Sequence, residues 1–212
     1  KVVAYLTLHY LEVHKWFGDL NNNWKAGKYY QTGFDGATYG HKVLGVSIPN
    51  PTDAEILQAG LDGIMDQNKL PHSTTIIACG DAATNHLIVT FINDALPKAA
   101  KGSITDLVKL IADLKDLISK IPQPVTDCLS NNSDLKALGL KYGIDDTTDS
   151  TVIEKKVVAY LTLHYLEVHK WFGSLNDLWQ AGKYTQTGFD AAGYAHKVLG
   201  LTPEAIKQLI SA

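Results

Sequence analysis

Residues 1–46 recur at 156–201 in register and without a gap, and only nine of the 46 paired positions differ. A self-similarity of that length defines the folding unit, so it has to be settled before any motif is read. The spacing makes 47–201 one complete helical unit of about 155 residues. On that reading, 1–46 is the C-terminal part of a preceding repeat unit and 202–212 is a possible start of a further one. The expectation is a window cut from a tandem-repeat array, beginning at Lys1 without an initiator Met as a processed or excerpted chain would.

Helical spacing runs through most of the chain, so the expected fold class is all-α, a multi-helix bundle with one disulfide inside the unit. Thr52-x-x-Glu55 and Ser103-x-x-Asp106 have the form of capping boxes, in which side chains satisfy the first free backbone N–H groups of a helix. After the second, Ile104, Leu107, Ile111, Leu114 and Ile118 follow a 3-4-3-4 spacing that lines one helix face. The prolines at 122 and 124 end that helix. Asn132 or Ser133 then caps a short helix closing at Gly143. Thr151-x-x-Glu154 predicts a long helix to Gly173, apolar on almost every side and therefore central in the bundle. A further helix is expected from Ser174 to Gly182, and a last one to Gly200. The segment 73–96 carries strand-type residues, but Ala83, Leu87 and Phe91 keep a four-residue stripe up to Pro97, which predicts helix. In the last helix, Gly188 and Ala192, like Ala191 and Ala195, are small residues four apart that would let another backbone approach closely.

Composition excludes two partner classes. All 19 basic residues are lysine, and the net charge is −3. Arginine supplies the bidentate contacts to phosphate and guanine, and its absence together with scattered lysines argues against nucleic acid. The most apolar stretch, 76–96, is interrupted by Asp81, Asn85, His86 and Asn93, so no membrane span is expected. Cys79 and Cys128 are the only cysteines, and a bridge between them would stabilise by roughly 4 kcal/mol on the chain-entropy account. Asn131-Asn132-Ser133, in a polar, loop-like stretch, is a glycosylation sequon at Asn131. Cysteine pair and sequon together place the protein outside the cell or in the secretory pathway.

The chemistry-bearing residues are few. His164-x-x-Glu167, repeated as His9-x-x-Glu12, sets an imidazole and a carboxylate on one helix face, and His196 is a candidate third metal ligand. The order is the reverse of the Glu-x-x-His pairs of di-iron bundles, and 47–150 holds no matching pair. A half-buried histidine hydrogen-bonded to its neighbouring glutamate explains the pattern without a metal, and no cofactor is expected. Cys79 as a reactive thiol would need a base such as His86, and a disulfide is its expected fate. Nucleophile elbows and phosphate-binding glycine loops are missing, which points to a non-enzymatic protein. Two functions remain. One is a structural, self-assembling role in an array, fibre or coat, through an unmatched copy whose Val3, Leu6, Tyr10, Val13, Phe17 and Trp24 form an apolar face. The alternative is a carrier enclosing an apolar small molecule or lipid within a helical unit. A carrier requires a closed cavity, whereas an assembly protein requires a solid interior and an open copy.

Overall fold

Thr52, Asp81, Ser103, Asn132 and Asp149 each cap the start of a helix. In the computed structural model, which describes residues 9–25, 29–44, 50–145 and 147–200, eleven helices and no strand occur among the described residues. The chain divides into two compact units, Lys1–Pro51 and Thr52–Ala212. The first holds α1 (Tyr10–Lys25) and α2 (Tyr29–Leu44). Val3, Leu6 and 202–212 lie outside the described residues.

The second unit holds α3 (Asp53–Gln67), α4 (Thr75–Ala78), α5 (Ala82–Lys101), α6 (Ile104–Ser119), α7 (Gln123–Asn131), α8 (Ser133–Lys141), α9 (Ser150–Leu163), α10 (Tyr165–Gln180) and α11 (Tyr184–Leu199). Both predicted capping boxes are formed. Thr52 and Glu55 close one at α3, and Ser103 and Asp106 close the other at α6. Asn132 caps α8 by accepting from the backbone N–H groups of Asp134 and Leu135 at 3.0 Å each. α10 ends at Gly182, whose φ of +70° suits a residue without Cβ. There Lys183 N–H donates to Leu178 O at 2.9 Å and Gly182 N–H to Trp179 O at 3.0 Å.

Several expectations are corrected. The predicted helix 151–172 is two helices, α9 and α10, bent at His164 (φ −116°, ψ 29°). The Thr162 hydroxyl donates back to Val158 O at 2.9 Å, a bond that bends helices. The pair is also less central than its composition suggests, since Leu166 is 75% exposed. Its start is capped by Asp149, not by Thr151 and Glu154. α10 then passes through Gly173, because the buried Leu175 and Trp179 beyond it outweigh the weak helix propensity of one glycine. α5 runs through Pro97 to Lys101, held there by Ala99, which is completely buried. Finally, 123–131 is a helix and not a loop, and Asn131 is its exposed last residue.

Two apolar centres organise the second unit. Ala99, Leu107, Tyr160, Leu161 and Val168 form one, drawn from α5, α6, α9 and α10. Leu61, Met65 and Leu138 form the other, between α3 and α8. Cys79 at the end of α4 is bonded to Cys128 on α7, with Cα atoms 5.6 Å apart. Near the second centre, the buried Ser73 hydroxyl donates to Asp134 at 2.5 Å, and Thr75 Oγ1 donates to the same oxygen at 2.9 Å. These bonds hold the Asp134 carboxyl below the usual carboxylate range.

The closest crossing is that of α3 with α11. A Cβ on Gly63 would collide with the Thr185 carbonyl and the Phe189 N–H, and a Cβ on Gly188 would collide with the Gly60 carbonyl. Backbone meets backbone, as the small residues of the last helix predict. Gly63→Ala is therefore expected to cost about 1–3 kcal/mol in urea unfolding, although alanine is the better helix former. Gly173→Ala, where a Cβ meets nothing within 4 Å, should instead gain up to about 1 kcal/mol. A neutral Gly63→Ala would contradict the crossing.

A depressed carboxyl pKa contributes stability that is present above the ordinary carboxylate range and lost as pH falls through the folded value. Asp134→Asn should lower the melting temperature at pH 7, with the gap from wild type closing below about pH 4. Thermal melts of both chains across that range check this, and a gap that is constant with pH would refute it.

Candidate functional site

The duplicated segment folds twice as the same antiparallel helical hairpin. In the first copy, the contacts Glu12–Lys42, Trp16–Tyr39 and Asn23–Asp35 run in opposite order along α1 and α2. Trp16 and Tyr39 stack at 4.6 Å with planes 4° apart, and the Lys42 ammonium lies 5.4 Å over the indole. In the second copy, Trp171 and Tyr194 stack at 4.5 Å and 5°, with Lys197 at 5.1 Å. Glu12 meets Lys42 at 3.5 Å, and Glu167 meets Lys197 at 3.1 Å. A cation over an aromatic face, itself paired with a carboxylate, fixes the spacing of the two helices. The hairpin is thus a self-contained element, reproduced to within tenths of an ångström.

What differs is the covering. In the second unit, α11 lies on α3, and α10 lies on α5, where Trp179 Nε1 donates to Asn93 Oδ1 at 2.6 Å. Trp171, Phe172 and Val198 pack against the centre that contains Ala99 and Leu107. Their first-copy counterparts Phe17 and Val43 line an almost wholly apolar groove of about 340 Å³, together with Trp16, which is itself buried. Trp179 is 7% exposed, and Trp24 is 60% exposed. Gly188 meets the α3 backbone, whereas Gly33 has nothing within 4 Å of where a Cβ would stand. Of the residues predicted for assembly, Phe17, Tyr10 and Trp24 are exposed, and Val13 is buried.

His164 and Glu167 are neighbours, with Nδ1 3.7 Å from Oε2. Glu167 also meets Lys197 and accepts from the Tyr160 hydroxyl at 3.3 Å. Tyr160 stacks on both His164 and Trp171, and burial followed by the Glu167 charge pushes its hydroxyl pKa up. His196 is engaged elsewhere, with Nε2 2.9 Å from Asn68 Oδ1 and its ring against Tyr142. Among the described residues no three His, Cys, Asp or Glu side chains form a group able to hold a metal ion. Asn131 carries its side-chain amide on the surface, donating to Asp127 O at 2.8 Å.

Sequence reasoning missed the receiving side of the hairpin: Gly60, Gly63, Asn68 and Asn93. The signal was present in Gly60-x-x-Gly63, two glycines inside a capped helix where no turn needs them. Compared with known protein families, curated proteins and solved structures, the chain matches none.

Proposed function

We propose that the protein is a non-enzymatic, secreted helical building block that self-associates through its duplicated hairpin. One observation carries the reading: the same hairpin occurs twice, covered in one copy and open in the other. Leaving Phe17 and Trp24 in water forgoes roughly 1.5–3 kcal/mol for each side chain, which association recovers. A heterologous contact of this kind, if it does not close, extends into a fibre or coat. A groove of about 540 Å³ between α7 and α8 opens to solvent and does not enclose a ligand, which favours assembly over a carrier at that place. Secretion is supported by the Cys79–Cys128 bond. No helix among the described residues is long and apolar enough to cross a membrane.

Light scattering over a concentration series is expected to show mass rising with concentration and to remain nearly salt-independent, as an apolar contact requires. A monodisperse monomer, unchanged by deleting 1–46, would remove assembly and promote the carrier. Protein from its native source should lose mass at Asn131 on glycosidase treatment, and an unmodified Asn131 there would leave the disulfide as the sole support for secretion.

A further inference from the structure

The open hairpin has a seat whose shape is known, because its twin occupies one. We propose that α1–α2 of one chain docks on α3 and α5 of a second copy, in the seat that α10–α11 fills, exchanging hairpins between chains. This deepens the assembly reading by naming the surface and the partner.

The nine differences between the copies carry the argument. The buried residues of α10 and α11 are Val168, Leu175, Trp179, Thr187, Gly188 and Ala192. All six recur unchanged, as Val13, Leu20, Trp24, Thr32, Gly33 and Ala37. Every difference falls on a position that is exposed or half-buried in the second unit, or, at 201, outside the described residues. Ser174, Asp177 and Gln180, three of the positions that change, face solvent. The fully buried residues are kept, and the changes fall where side chains are exposed or half-buried.

Two changes fall near α3. Tyr30 stands for Thr185, whose main-chain carbonyl meets Gly63 and whose hydroxyl is buried, so the seat must give to take the larger ring. Thr38 stands for Gly193, where a Cβ would lie at an ordinary 3.6 Å from the Gln67 amide. Trp24, Gly33 and Ala37 are exposed in the first copy, and their counterparts are buried in the second. Trp24, Gly33 and Ala37 of the open face thus repeat residues that are buried in the second unit. Because α3 is already covered within its own chain, docking displaces the resident hairpin. The displaced α10–α11 then offers the same face to a third chain, and exchange propagates.

Gly33→Leu tests the seat without disturbing the hairpin, since the position is open and leucine is the better helix former. It should weaken self-association of the full chain at least tenfold by light scattering. Gly18→Leu, equally open and, like Gly173, away from the seat, should leave it within twofold. Mixed ¹⁴N and ¹⁵N chains treated with a lysine cross-linker should yield a mixed-isotope link between Lys42 and Lys69, because the counterpart of His41 bonds Asn68. That link should fade in Gly33→Leu. Association that survives Gly33→Leu, or falls equally with Gly18→Leu, overturns this seat while leaving assembly standing, as does the lack of a mixed-isotope link. A wild-type monomer at every concentration overturns both.

Discussion

The second unit depends on a contact in which two helices touch through their backbones. Gly63 on α3 and Gly188 on α11 admit no Cβ, so the axes approach far closer than side chains would allow. Dispersion falls off steeply with separation, and a crossing this close gains many atom pairs at little side-chain entropy cost. It also leaves no latitude: the register of α11 on α3 is set by one pair of glycines. In that register His196 Nε2 lies 2.9 Å from Asn68 Oδ1, and the Asn68 amide donates to the Tyr142 hydroxyl and to Ile64 O. Burial pushes the Tyr142 hydroxyl pKa up.

The hairpin is held differently. Its two helices are spaced by stacked rings and an ion pair near the surface, contacts that work without the rest of the unit. Those contacts recur in both copies at matching distances. An element stabilised from within can move between partners without unfolding. One stabilised only by its neighbours cannot.

Local chemistry was legible in the residues. The capping boxes at Thr52 and Ser103, the helical stripe of α6, the Gly182 stop and the small residues of the last helix all follow from short-range spacing, and the Cys79–Cys128 pair from there being just two cysteines. Two of the departures share one cause, which is distant packing overruling a local signal. Gly173 and Pro97 look like terminators, yet buried Trp179 and Ala99 carry the helices past them. The bend at His164 lets α9 and α10 serve different neighbours, and no spacing within 151–172 reveals that. α7 was hidden because its apolar content is slight, and the covalent tie at Cys128 compensates for that. For the site, the donor face was readable from the duplication. The seat was not, because Gly60 and Gly63 acquire meaning only beside Gly188.

The bond between Cys79 and Cys128 also bears on how the molecule responds to tension. It spans 49 residues, which include α5 and α6. If a fibre of such units is stretched, load entering at Cys79 leaves at Cys128 through sulfur, and the intervening loop carries none of it. A contour length on the order of 170 Å is thereby withheld from extension. Reduction would release it, so the compliance of an assembled strand would be set by the redox state of its surroundings.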